Sequence, residues 1–259
     1  MPSHAETGKL YIVGTGPGSP GLMTTDAIQA IEQAEYVIGN TFYLIPIEPL
    51  IEGKQVIRSA MGKEVDRASQ AVDLARKHVV AMVSGGDPGV YGMAGIVLEI
   101  LEKRGEEIDV QVIPGVTAAN AGASRLGSPL SGDFCVISLS DLLTPLGIIE
   151  QRLEAVFSLG IPVVLYNPRS RGRPHNFAMA VRIAGKHLPA TTPLAVVKNA
   201  CRSGEEILIT TLGEASSVEE HVDMHSTVFI GGTESRIWRM GEHVKGIITQ
   251  RGYHRKYLY

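Results

Sequence analysis

The sequence predicts two α/β domains, the first built on a mostly parallel sheet and the second on a mixed one. Three observations carry that expectation. The apolar run Val79-Val80-Ala81-Met82-Val83 stops at Gly85-Gly86, as a buried strand does where it meets a loop. Up to about residue 125, short β-rich runs alternate with stretches of helical periodicity, the pattern of a parallel sheet covered by helices. Beyond that point the runs at 194–197, 206–211 and 227–230 follow one another without clear helices between them, which calls for antiparallel pairs. The boundary falls between Pro114 and Leu126, giving expected domains over residues 1–120 and 121–259.

Each element has its own local warrant. Residues 9–13 read as the first strand, and Gly14-Thr15-Gly16-Pro17-Gly18-Ser19-Pro20-Gly21 as the loop leaving it. Thr24 or Thr25 is placed to cap a helix over 26–34, with Ala27, Ile31 and Ala34 on one face. Residues 36–38 and 55–57 are short strand candidates. The helix at 64–78 carries Val65, Ala68, Val72 and Ala75 at helical spacing. A strand at 79–83 and a helix at 93–103 flank the glycine loop. The strand at 109–113 closes at Pro114-Gly115, and a small-residue helix at 116–126 is able to pack closely. In the second half, 134–139 is a strand, and Thr144-Pro145 starts a helix with a cap residue and then proline at the first helical position. That helix runs to about Leu159, before a strand at 162–166, a loop from Asn167 to Pro174 and a helix at 176–187.

Composition narrows the function classes. At 259 residues the chain is long enough for one large domain or two modest ones. The hydrophobic fraction of 44% and charged fraction of 20% are those of a globular protein. The formal net charge is -3 with no basic block, so binding of nucleic acid by bulk electrostatics is disfavoured. The 2 cysteines, Cys135 and Cys201, sit in apolar runs and fit a reducing cytoplasm rather than a disulfide framework. Met1 to Gly8 are polar, with no apolar signal region, and no run is long enough to span a bilayer. The 8 histidines are scattered, so no metal site is expected.

The stretch Gly85-Gly86-Asp87-Pro88-Gly89-Val90-Tyr91-Gly92 carries the most chemistry. Loops at the carboxyl ends of parallel strands are where open α/β sheets bind ligands, and Asp87 is the polar anchor in this one. Gly14-Thr15-Gly16-Pro17-Gly18 invites a dinucleotide reading and fails it twice. The third glycine of that fingerprint falls at Ser19, and Pro17 removes a backbone N–H that a pyrophosphate needs. Arg169, Arg171 and Arg173 follow a predicted strand and form a clamp suited to carboxylates, which guanidinium groups grip in bidentate fashion. The segment from Ile137 to Pro145 adds hydroxyls and one acid, Asp141, ahead of a helix.

Taken together, Gly14 to Gly18 with Met23-Thr24, the loop at 85–92 and Ile113-Pro114-Gly115-Val116-Thr117-Ala118 resemble the tetrapyrrole methylases over nearly the whole chain. Asp133-Phe134-Cys135, the segment from Ser138 to Pro145 and the segment from Tyr166 to Arg173 look specifically like the precorrin-3B or cobalt-factor III C-17 methyltransferases. The resemblance implies a cleft between the two domains holding S-adenosylmethionine, with S-adenosylhomocysteine as product. By position it implies cofactor contacts from Pro17, Gly85, Gly86, Asp87, Val90, Thr117, Ala118, Asn167, Ala200 and Thr227. It implies methylation of C-17 of a precorrin-3-type macrocycle with ring contraction, in formation of the corrin ring of cobalamin, by a cytoplasmic homodimer. The proton of that rearrangement is expected at Asp87, then Asp141 or Ser138, and the acid groups of the macrocycle at Arg169, Arg171 and Arg173. The same motifs leave room for a methylase of another precorrin, of uroporphyrinogen III or of RNA. Whether the natural macrocycle carries cobalt stays open.

Overall fold

Side chains alternate between the faces of a strand, so a strand buried on both faces feeds two cores at once. The first unit is built this way. The computed structural model describes residues 8–258. Most of the polar opening stretch, residues 1–7, lies outside the described residues. Close contacts divide the chain into two compact units, Met1–Ala118 and Ala119–Tyr259.

In the first unit β1 (Lys9–Gly14), β2 (Tyr36–Asn40), β3 (Gln55–Ser59), β4 (Val79–Ser84) and β5 (Asp109–Ile113) form one parallel sheet in the order β3-β2-β4-β1-β5. Leu10, Ile12, Val80 and Met82 point to one face, against α3 (Glu64–Ala75) and α4 (Ala94–Arg104). Tyr11, Val13, Ala81 and Val83 point to the other, against α1 (Thr25–Gln33), α2 (Thr41–Leu44) and the 3-10 segment Ile45–Leu50. Thr24, not Thr25, caps α1, its hydroxyl accepting from the Ala27 N–H at 3.1 Å. The helix expected to reach His78 stops at Ala75, and the chain tightens into β4 with the Lys77 and His78 N–H groups both donating to the Leu74 carbonyl at 3.1 Å. Val65, placed by periodicity on the buried face, stands exposed in the first turn of α3, while Ala68, Ala71, Val72 and Ala75 are buried.

The second unit holds α5 (Ala118–Leu126), β6 (Gly127–Ser128), β7 (Cys135–Ser138), α6 (Leu146–Ser158), β8 (Val163–Tyr166), α7 (Asn176–Ala184), β9 (Pro193–Lys198), β10 (Glu206–Thr211) and β11 (Ser226–Ile230). Its sheet runs β10-β9-β11-β8-β7, with β7 and β8 parallel and the remaining pairs antiparallel, so the mixed sheet is as expected. A hairpin of β12 (Ser235–Met240) and β13 (His243–Thr249) makes a second small sheet with β6. Ile149, Leu153 and Phe157 of α6 and Phe177, Ala180 and Ile183 of α7 pack on one face of the larger sheet. Pro145 does not enter α6. Its φ of -53 suits a helix but its ψ of 138 is extended, so it stands at the cap and the helix starts at Leu146.

The small residues of α5 are used for close packing. A Cβ on Gly122 would lie 2.6 Å from the ring of Phe229 on β11. Gly122→Val is therefore expected to overpack this contact and lower stability by about 1–3 kcal/mol, read from urea unfolding midpoints.

Candidate functional site

The first unit presents its candidate groups in the loops that leave β1, β4 and β5. The Gly16 N–H donates to the Gly86 carbonyl at 3.0 Å, and the Gly86 N–H donates back to Gly16 at 2.8 Å. Gly86 has φ of +67, the left-handed region that glycine enters without strain. The Asp87 carboxylate then ties this pair to the β5 loop. Its Oδ1 accepts from the Gly89 N–H at 2.8 Å and its Oδ2 from the Gly115 N–H at 3.0 Å. Thr15 closes the base, its N–H and hydroxyl both donating to the Ser84 carbonyl, at 3.0 and 3.2 Å. So Gly85, Gly86, Asp87, Thr117 and Ala118 belong to one welded set of loops, and Thr117 Cα lies 3.8 Å from where a Cβ on Gly86 would sit. Pro17 and Val90 lie in the same loops. Tyr43 was not legible as part of this set; its ring fills the place a side chain on Gly85 would take. Tyr91, with φ of +51 and its side chain exposed, is a second addition, since a bulky residue in the left-handed region marks stored strain.

The second unit gathers its candidates at one end of the larger sheet. Ser138 ends β7, Asn167 follows β8, and Asn199 and Ala200 follow β9. Asn167 and Asn199 both have positive φ, 51 and 50, a conformation asparagine tolerates better than most residues. The Asn167 amide donates to Ser138 Oγ at 2.9 Å, and Ser140 N–H reaches the same oxygen at 3.2 Å. Thr227, buried on β11, pairs with Val197 of β9. The Lys198 ammonium meets Asp223 at 2.6 Å just before Asn199. Burial pushes the Asp223 carboxyl up, but Lys198 and the His225 N–H outweigh it and hold it below its ordinary value.

The three arginines do not form one clamp. Arg169 donates to the Glu219 carbonyl at 2.7 Å and lies 3.7 Å from Glu220. Arg171 is exposed at the tip of a turn closed by Ser170 and Arg173. Arg173 turns inward, 3.9 Å from Asp141. Among the described residues no cluster of three or more His, Cys, Asp or Glu side chains could hold a metal ion.

The family model for tetrapyrrole (corrin/porphyrin) methylases matches residues 9–216. The chain belongs to this family. A protein of Salmonella typhimurium described as a probable cobalt-factor III C(17)-methyltransferase is 44% identical to this methylase over 246 residues, covering 94% of this chain and 99% of that one. The cobalamin biosynthesis protein CbiHC of Archaeoglobus fulgidus is 43% identical over 251 residues, 96% of this chain but 54% of that protein, so this methylase spans about half of that relative's length. The crystal structure of the methyltransferase CobJ superposes with a TM-score of 0.87 at 32% identity, covering 94% of this chain and 100% of that one.

Two outcomes check the geometry of this methylase. Asp87→Ala removes a charged acceptor from two backbone N–H groups, and is expected to cost about 1.5–3 kcal/mol and to speed hydrogen exchange at Gly115. The depressed Asp223 carboxyl contributes stability that is present at neutral pH and lost as pH falls through its lowered folded value. Asp223→Asn should therefore lower the neutral-pH urea midpoint and flatten its decline on acidification.

Proposed function

We propose that this chain transfers a methyl group from S-adenosylmethionine to C-17 of a precorrin-3-type macrocycle, in the cobalt-bearing form, cobalt-factor III, ahead of metal-free precorrin-3B. The observation that carries this reading is the 44% identity over 99% of the length of the Salmonella protein, a probable methyltransferase of C-17 in cobalt-factor III. The residues present fit such a donor. A Cβ on Gly86 would meet no protein atom closer than 3.8 Å, so that turn opens beside Thr117 and Ala118, whose side chains are small. Gly14 and Gly115, by contrast, face backbone and leave no room for a side chain. Gly85, Gly86, Asp87, Val90, Thr117 and Ala118, with Pro17, would hold the donor, and Asn167, Ala200 and Thr227 join them in this reading.

S-adenosylmethionine supplies a sulfonium-bound methyl group open to in-line attack by a carbon nucleophile. The chain has then to align, keep water out and move one proton, and rigid loops serve the first task best. Asp87 acts here first as the tie between two loops, since both of its oxygens accept backbone N–H bonds. Ser138 stands with it as a group for the proton of ring contraction, while Asp141 faces Arg173 at 3.9 Å. Arg171 and Arg173 offer cationic partners for a macrocycle rimmed with acetates and propionates, Arg169 being taken up by Glu219 and Glu220. The reading places the enzyme in the cytoplasm as a homodimer, in keeping with the resemblance and with two free thiols. No helix among the described residues is long and apolar enough to cross a membrane.

The test is an anaerobic incubation with S-adenosylmethionine and either macrocycle, followed by mass and absorbance. A gain of one methyl with a changed chromophore is expected, faster from cobalt-factor III. No gain from either, in protein whose melting temperature S-adenosylhomocysteine raises, would keep the donor and overturn the acceptor.

A further inference from the structure

Arg173 is held at a disadvantage, one shared among the described residues with Arg67. Its side chain is 15% exposed, and its Nε is buried without a hydrogen-bond partner. Nη2 meets only the Met224 sulfur, at 3.2 Å, and a thioether is a weak acceptor. Asp141 Oδ1 lies 3.9 Å from Nε, close enough to balance charge and too far to accept a hydrogen bond. A guanidinium N–H withdrawn from water without an acceptor is destabilising, and a carboxylate matching its fork relieves that cost. The backbone meanwhile fixes where this fork stands, through paired bonds between Ser170 and Arg173 at 3.3 and 3.0 Å. Leu142 and Leu143, which follow Asp141 in the chain, are 79% and 92% exposed, so the segment that faces the guanidinium continues into bare apolar surface. That surface suits a ligand apolar on its face and anionic on its rim.

We propose that Arg173 is the receptor for one peripheral carboxylate of the macrocycle, and that Asp141 is its stand-in counter-charge rather than the proton carrier. The identity of the macrocycle rests on the function proposed above; the receptor itself rests on the orphaned Nε and on the distance to Asp141. Arg169 is spent on Glu219 and Glu220, which leaves Arg173 as the arginine of this loop whose hydrogen bonding is incomplete. When the substrate carboxylate arrives, it accepts from Arg173, and the Asp141 segment is released to lay Leu142 and Leu143 along the ring.

The experiment titrates cobalt-factor III by absorbance into full-length enzyme with S-adenosylhomocysteine present, and measures steady-state methyl transfer in parallel. Arg173→Met should weaken macrocycle binding by about tenfold to a hundredfold, the loss of one charge-assisted pair, and raise the macrocycle KM with it. Arg173→Lys, which keeps the charge and loses the fork, should fall between, and guards against a variant that fails to fold. Asp141→Asn should tighten the macrocycle by about two- to fivefold, because the competing charge is gone. A raised KM for S-adenosylmethionine in place of the macrocycle would assign Arg173 to the donor and overturn the proposal. So would a collapse of kcat in Asp141→Asn at unchanged KM, which would make Asp141 the proton carrier. Arg173-dependent binding without methyl transfer would uphold the receptor and sink the proposed reaction, whereas transfer with a normal macrocycle KM in Arg173→Met would do the reverse. No binding and no transfer by the wild type would sink both.

Discussion

A Cβ on Gly14 would lie 2.7 Å from the Gly115 amide nitrogen and 2.8 Å from the Gly86 carbonyl oxygen. The loops after β1, β4 and β5 therefore approach one another backbone to backbone, with no side chain between them. Their polar groups would be costly if left unpaired at such closeness, and they are paired with each other. Gly16 and Gly86 exchange two hydrogen bonds, and the Asp87 carboxylate takes up the Gly89 and Gly115 N–H groups. Everything the first unit can offer a ligand is set by this arrangement. The opening at Gly86 exists because the neighbouring positions are closed, and Thr117 and Ala118 are where they are because Gly115 is pinned.

Much of this was legible in the residues because glycine and apolar alternation are strong signals. A run such as 79–83, apolar at every position and ended by two glycines, has few ways to fold, and the parallel sheet followed from it. The loop leaving that strand at 85–92 was readable for the same reason. What stayed hidden was partnership. Nothing local tells that Asp87 serves the backbone of a residue 28 positions away, or that Tyr43 fills the space beside Gly85. The hairpin of β12 and β13 escaped because Arg236, Arg239 and Lys245 interrupt its apolar positions, so it lacks clean alternation. Pro145 misled because its ring fixes φ alone, and it is ψ that decides whether a helix has begun.

The second unit shows the limit of reading charge from spacing. Three arginines at alternate positions suggest three equivalent contacts. Folding makes them unlike: one donates to the Glu219 carbonyl, one sits at a turn tip, and one is drawn inward towards Asp141. Their difference comes from the turn at 170–173 and from what β11 and its preceding loop bring alongside, neither of which is written in the tripled residue.

The closeness of the glycine loops also bears on how such a protein can change over generations. Gly14 and Gly115 are closed in by each other's backbone and by the Gly86 carbonyl, so a side chain added at either is met by backbone that has not moved. Such positions change readily only together. The turn around Arg171 and the pair Leu142-Leu143 stand free of such mutual constraint. Change at those few exposed residues meets no such obstacle.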